Sequence, residues 1–402
     1  MLNIILANRW YPPYSGFGGV AAYQRDLGRE LVNRGNSVTV LAARYSKRDP
    51  ETQNDLNVAV YRELVRERGI TARLPVLRAR VRSLDQYIYS KRLNARLREL
   101  EVEGKISIVE FAEVNAEAYI YLNTGRTIPV IVRCHTPTFV LQKYYGKNEF
   151  PVDWEMTSNR EKFCMYQADA LSAPSRDMAS LIESELHLTP GTIRVIPNAL
   201  NVQEYSSIRA SKEKRNSLVR ILHVGRLDRT KGIEILMRAV PEVILYCQNV
   251  EFVFVGPDRP DHSGSTWMTR MTQYFKNTGV SAKVSFLGEI DHESILSEYA
   301  KADIAVIPSI LYESFSYTCA QALAAGLPVV TSSIGGIPET VGDAALLVPP
   351  GDAGALAEAL VHLVQDTALR SELAARTIDQ CRLFDAPVVA EQMLRFYKEV
   401  AG

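Results

Sequence analysis

Short apolar, β-branched runs punctuate the chain, each closing on Gly, Pro, Asn or Ser and each followed by a longer stretch with helical spacing. That alternation predicts parallel strands joined by crossover helices. In the first half the predicted strands are Asn3–Ala7, Ser37–Ala42, Val58–Tyr61, Ile106–Phe111, Pro129–Cys134, Ala170–Ala173 and Ile193–Pro197. In the second they are Val219–Val224, Glu251–Val255, Lys283–Leu287, Ile304–Pro308, Pro328–Ser332 and Ala345–Val348. Between the halves, Pro197-Asn198-Ala199 ends a strand and the polar run Ser206–Ser217 precedes a fresh start, which sets a seam. The expected domains are 1–200 and 201–383, followed by a closing helix in 384–402. That helix carries Val389, Met393, Phe396 and Val400 at helical spacing and, on spacing alone, could pack on either domain.

Composition changes this picture little. With 402 residues, 47% of them hydrophobic and 23% charged, the chain has the size and balance of two ordinary globular domains. The 46 basic side chains equal the 46 acidic ones, so no global field points to nucleic acid and any anion site has to be local. Five cysteines, Cys134, Cys164, Cys247, Cys319 and Cys381, are scattered without a Cys-x-x-Cys or zinc-ligand spacing, the usage of a reduced intracellular protein. Met1–Asn8 reads as a first strand rather than a signal sequence, and no apolar run approaches the roughly 20 residues that span a bilayer. A cytoplasmic protein is expected.

Open parallel sheets bind ligands beyond the carboxyl ends of their strands, so candidate chemistry is sought there. After Val219–Val224 come Gly225-Arg226-Leu227-Asp228-Arg229-Thr230-Lys231-Gly232 and a helical pattern from Ile233. Arg226 and Lys231 could both reach one diphosphate, each contributing several kcal/mol at about 4 Å and an effective dielectric near 20. Such cations would take the place of magnesium, so no metal or other cofactor is expected. A solvated loop with surface charges is the alternative for this segment alone. After Ile304–Pro308 come Ser309-Ile310-Leu311-Tyr312-Glu313-Ser314-Phe315-Ser316-Tyr317 and a helix-like Thr318–Ala325 stopped by Gly326 and Pro328. The serines offer caps and the helix start offers backbone N–H groups, an anion site. Glu313 and Gln321 would lie roughly 12 Å apart on a continuous helical rise, a span suited to the two ends of a nucleotide-sugar. Taken singly, Glu313 fits an acid near a helix start and Gln321 a surface amide. Their combination with Arg226 and Lys231 favours the ligand.

These residues resemble the family-4 glycosyltransferases, retaining enzymes with two Rossmann-like α/β domains whose parallel sheets face a central cleft, the B-type or GT-B fold. The resemblance rests on Gly16-x-Gly18-Gly19, on Arg226 with Lys231, and on the run from Glu313 through Gln321 to Ala325-Gly-Leu-Pro-Val-Val. It extends through Gly335-Gly-Ile-Pro-Glu339 and Leu347-Val-Pro-Pro-Gly-Asp352. It implies that Arg226 and Lys231 bind the diphosphate, that Glu313 touches the donor sugar, and that backbone amides of Phe315, Ser316, Tyr317 and Thr318, beside Gly225, hold phosphate and sugar. Gly256, Leu287, Gly288 and Ile290 are the candidates for the base. Gly18 and Gly19 would let the backbone approach the donor phosphate. The family has a second glutamate eight positions after the first, with seven residues between them, and this chain has Gln321 there. An amide has one acceptor oxygen where a carboxylate has two, so ribose binding should weaken or rearrange. The resemblance also assigns His135, after a first-domain strand, to the donor sugar, and returns the C-terminal helix to the first domain. His223, inside an apolar strand, reads as core.

The implied reaction is a front-face substitution that retains configuration: the sugar–phosphate bond loosens, the acceptor hydroxyl enters from the leaving-group side, and the departing phosphate takes its proton. Positioning and charge stabilisation carry it, with no protein nucleophile. The expected donor is a nucleotide diphosphate-hexose, a UDP-hexose such as UDP-glucose slightly ahead of GDP-mannose. The expected acceptor is a glycan or lipid-linked sugar of polysaccharide or glycoconjugate synthesis. Trp10-Tyr11-Pro12-Pro13-Tyr14 offers aromatic surface to sugars or to local packing. The basic segment Arg73–Arg98 reads first as a solvated helix packed by its apolar face, with peripheral contact to an anionic membrane as the alternative. A non-catalytic nucleotide-sugar binder is the main rival function, which Gln321 favours. An NAD-dependent oxidoreductase is a weaker one, because the second strand ends at Ala42-Ala43-Arg44 without the acidic ribose ligand.

Overall fold

The computed structural model describes residues 1–14, 18–65, 75–144, 154–209, 218–260 and 264–402. Gly16, Arg73 and the polar stretch 210–217 lie outside them, as do the side chains of Leu77, Arg78, Arg80, Val81 and Arg82. The chain divides into two compact units: Met1–Leu200 with Asp385–Gly402, and Asn201–Phe384.

The first unit is built on eight strands: β1 (Asn3–Ala7), β2 (Ser37–Arg44), β3 (Thr52–Asp55), β4 (Val58–Leu64), β5 (Ile108–Ala112), β6 (Val130–Arg133), β7 (Ala170–Ala173) and β8 (Arg194–Val195). Their order is β3-β4-β2-β1-β5-β6-β7-β8, parallel except for the antiparallel β3–β4 edge. The direction of winding reverses between β1 and β5. Ile4 to Ala7 and the whole of β5 and β6 are buried, as strands covered on both faces must be. The helix Gly19–Asn33 faces the sheet at Gly28, where an added Cβ would lie 3.7 Å from Leu6, Val38 and Val58, an ordinary packing contact.

The closing helix Ala386–Ala401 belongs to this unit. Its Val389, Met393 and Phe396 are buried as the spacing predicts, while Val400 is only half-buried. The helix is fixed by polar contacts as well. The buried Glu110 carboxylate accepts from Tyr23 (2.9 Å) and from Tyr397 (2.8 Å). Beside it the buried Arg133 guanidinium lies 4.2 Å over the Tyr23 ring and donates to Ile196 O, Pro197 O and Asn198 Oδ1. A buried cation whose donors are met by carbonyls is retained without a direct ion pair.

Among the described residues the second unit has six strands: β9 (Val219–Val224), β10 (Val250–Val255), β11 (Val284–Gly288), β12 (Ile304–Ile307), β13 (Val329–Ser332) and β14 (Ala345–Val348). All are parallel, in the order β11-β10-β9-β12-β13-β14, so the reversal falls between β9 and β12. Phe254 stacks on Phe286 at 5.1 Å and abuts Phe275, an aromatic cluster on one face of the sheet. His223 is core, as expected: its Nδ1 meets Val306 O at 3.0 Å, and burial pushes its pKa down to about 4.

The basic helix runs over Pro75–Val102 and anchors its second half through the buried Tyr89, Leu93, Leu97 and Leu100. Leu84, expected on the packed face, is 51% exposed. Among the described residues no helix is long and apolar enough to cross a membrane.

Candidate active site

Both units open on the carboxyl ends of their central strands, and in the second unit the loops leaving β9 and β12 are laced together there. Thr230 O accepts from Ile310 N–H (3.0 Å) and Leu311 N–H (3.3 Å). Gly232 permits this approach: a Cβ there would sit 1.8 Å from Pro308 O, on a backbone at φ +69°. Gly335 does the same for the loop after β13, where a Cβ would lie 2.4 Å from Glu313 O. These contacts bring Lys231 to Glu313.

Lys231 Nζ lies 2.7 Å from Glu313 Oε1, and Ser309 Oγ donates to the same oxygen. The two charged side chains are 26% and 13% exposed. Burial raises the Glu313 carboxyl, but the Lys231 charge and the hydrogen bonds from Lys231 and Ser309 outweigh it, holding the group below its ordinary range. Arg226 stays on the same loop but turns to its own neighbours. Its Nε is 3.1 Å from Asp228 Oδ2, its Nη2 donates to Thr230 Oγ1 at 3.3 Å, and its side chain is 61% exposed. Asp228 also accepts from Lys231 N–H (3.1 Å), capping the short turn Arg229–Lys231. Asp228 and Ser309 thus organise the two cations and the acid. Sequence reading passed over both, though an aspartate three residues before Lys231 is a capping signal.

The helix beyond Glu313 begins at Tyr317 and ends at Ala324. Residues 313–316 are not helical, so the 12 Å helical span from Glu313 to Gln321 estimated above does not apply as a whole. Ser316 takes the N-cap position without capping the helix through its side chain, contrary to the expected serine cap; its buried hydroxyl instead bears on the Glu313 carboxyl and helps hold it low. Phe315 packs edge-on against Tyr317 (5.1 Å) and Phe384 (5.8 Å), fixing the turn. Thr318 is half-buried in the first helical turn, whose N–H groups form the positive end of the helix. Gln321 Oε1 accepts a long hydrogen bond from Tyr299 O–H at 3.4 Å, which engages one of its two lone pairs.

Gly225 N–H donates to Val255 O (2.9 Å), and Gly256 N–H to Gly288 O (2.8 Å), which joins the ends of β9, β10 and β11. Leu287 is 40% exposed and Ile290 half-buried on this side. In the first unit, Gly18 precedes the helix Gly19–Asn33, and a Cβ at Gly18 would meet nothing within 4 Å. Both glycines are exposed. His135, just past β6, is buried with its ring 5.4 Å from Tyr23. Burial, with the Arg133 charge added, holds it well below the usual histidine range, so it is neutral. Among the described residues no three His, Cys, Asp or Glu side chains gather as metal ligands would.

Two family models match the chain, glycosyltransferase family 4 over residues 17–204 and glycosyl transferases group 1 over 219–366. Sucrose-phosphate synthase from Thermosynechococcus elongatus superposes with a TM-score of 0.79 at 22% identity, covering 98% of each chain. The Anabaena HepE protein in complex with UDP and glucose gives 0.69 at 18% identity over 99% of this chain and 100% of that one. Two parallel-sheet α/β units with these neighbours define the GT-B fold. The chain belongs to the family-4 glycosyltransferases of that fold. Phosphatidyl-myo-inositol mannosyltransferase from Mycobacterium leprae is 32% identical over 209 residues, 51% of this chain; the chain spans 53%, about half, of that relative's length.

Proposed function

We propose that the protein is a retaining, metal-independent hexosyltransferase that takes a sugar from a nucleotide diphosphate-sugar, a UDP-hexose ahead of GDP-mannose, and passes it to a glycan or lipid-linked acceptor. The meeting of Lys231 with Glu313, at the strand-order reversal and beside a helix N-terminus, carries this reading. An arriving pyrophosphate competes for Lys231, draws the exposed Arg226 away from Asp228, and leaves Glu313 with acceptor capacity for sugar hydroxyls. The helix start at Tyr317 adds N–H groups to the phosphate. Charge that develops on the departing nucleoside diphosphate is then met by two cations and a dipole already in place. His135, neutral and buried, is assigned to the reacting sugar, where an uncharged imidazole adds no repulsion to a developing oxocarbenium ion. A UDP donor is supported by the HepE neighbour with bound UDP and glucose, and a mannosyl donor by the mannosyltransferase relative.

A non-catalytic binder is the second reading, favoured by Gln321, which offers ribose a single acceptor oxygen already shared with Tyr299. Turnover decides between them. The wild-type protein should release nucleoside diphosphate from one of a panel of nucleotide-sugars, and Arg226→Ala should lower that rate about a hundredfold with the fold intact. Binding without turnover would favour the second reading, and near-normal turnover in Arg226→Ala would remove that residue from the mechanism.

A further inference from the structure

Two buried carboxylates in the first unit have no part in the scheme above. Glu113 follows β5 and Glu161 lies on the helix Trp154–Gln167; each is about 1% exposed. Both close on the turn that carries His135. Glu113 Oε2 accepts from His135 N–H (2.7 Å) and Oε1 from Thr136 N–H (2.6 Å). Glu161 Oε2 accepts from Thr138 N–H (2.7 Å), and Oε1 from Thr138 Oγ1 (2.9 Å) and from Asn115 N–H (3.1 Å). Three of the four backbone positions from 135 to 138 are thereby tied to carboxylate oxygens, and the fourth is Pro137, which has no N–H to give.

Among the described residues neither acid has a direct cationic partner: Arg133 acts on Glu113 through its charge, but its guanidinium is spent on Asn198 and the carbonyls of Ile196 and Pro197. Among the described residues the other titratable groups facing the pair are the thiols of Cys134 and Cys164, both pushed up by burial, and the neutral His135.

We propose that Glu113 and Glu161 form a two-carboxylate clamp that positions the His135 turn for transfer and releases it when the carboxylates take up protons; the role in transfer rests on the assignment of His135 to the reacting sugar. The chemistry follows from the donor set. A carboxylate that accepts two N–H bonds on its two oxygens loses one of them on protonation, because the new O–H faces a donor. Burial drives both acids toward the neutral form, Glu113 up to about 7 and Glu161, with the Glu113 charge added, up to about 8. The two acids are coupled through the Glu113 charge, so they titrate as a pair. Above this range both oxygens of each acid hold the turn, and below it each acid has given up one of those bonds and the hold is weakened at both ends. Transfer should accordingly fall on the acid side through neutrality. Neutral His135 does not supply that limb, since it is already uncharged there.

The test pairs amide exchange with kinetics on the full chain, so that clamp and reaction are read separately. Wild-type amides in 135–138 should lose protection, after correction for intrinsic rates, as pH falls from about 9 to about 6. Glu113→Gln should speed their exchange at high pH and lower kcat about tenfold or more, with donor KM changed less than about twofold. In Glu161→Gln the acid limb should contract to a single step near that of Glu113. PH-independent protection of the wild-type turn overturns the clamp, whether or not any donor is turned over and whether or not the variants fold. Faster exchange in Glu113→Gln with unchanged kcat overturns the positioning role and leaves the proposed transferase activity standing. Absence of turnover with every donor defeats that activity and the role in transfer together, while exchange still decides the clamp.

Discussion

Replacing Lys231 by alanine strands the Glu313 carboxylate, and the size of that effect follows from the geometry. At 2.7 Å the pair gains about 6 kcal/mol of gross Coulomb energy at an effective dielectric near 20, most of it offset by the cost of taking both charges out of water. Breaking a wholly buried pair costs about 3–5 kcal/mol and a surface pair about 0–1. With side chains 26% and 13% exposed the pair falls between, at about 2 kcal/mol. For a unit of this size that lowers Tm by roughly 4–8 °C. The pH dependence has a definite sign. Glu313 is held below its ordinary range in the folded protein, so the pair's stabilisation is complete above the unfolded carboxylate's titration and is lost only as pH falls through the lowered folded value. In Lys231→Ala the lowering by the Lys231 charge and its hydrogen bond is gone, so the carboxyl rises and the variant's deficit shrinks as pH falls into the carboxylate range. Calorimetry on wild type, Lys231→Ala, Glu313→Gln and the double variant measures the coupling, with the unfolding of each unit treated as its own transition. Single effects that sum to the double effect within about 0.3 kcal/mol at pH near 7.5 would refute the pair. So would a Lys231→Ala deficit that grows toward acid pH.

Gly232→Ala should be worse than Lys231→Ala, because its Cβ would lie 1.8 Å from Pro308 O at a positive φ. A loss of about 3 kcal/mol or more is expected by urea unfolding, and a loss below about 1 would mean the two loops separate easily. Gln321→Glu should tighten UDP about tenfold in titration calorimetry by restoring a two-oxygen acceptor for ribose hydroxyls, and unchanged affinity would take position 321 out of the ribose site.

What the sequence made legible divides along a physical line. Strands such as Asn3–Ala7, Ala170–Ala173, Val219–Val224 and Ala345–Val348 were readable to the residue, because each is a short, mostly apolar run that stops where the loop turns polar. The edge strand Thr52–Asp55 was not, since Thr-Gln-Asn-Asp carries no apolar alternation. Its pairing with β4 is supported from outside, where Asp55 accepts from Arg29 (2.6 Å) and from Tyr11 (2.6 Å). Chemistry follows the same division. The cations and the acid announced themselves by lying just past predicted strands, but that Lys231 meets Glu313, 82 residues on, depends on two loops being laced at Thr230 and Gly232.

Glu113 and Glu161 were silent for a stronger reason. A buried acid whose partners are backbone N–H groups leaves no complementary residue in the sequence, because every residue but proline supplies that donor. Only the fold reveals that the turn at His135 spends its amides on carboxylates. An engineered His135 turn that kept all its residues and altered only position 113 or 161 would therefore look unchanged to any reading of the motif, while its backbone had lost the oxygens that hold it. Motif and scaffold are coupled here through main-chain donors, which is why the residues flanking a candidate site carry as much of its chemistry as the residues within it.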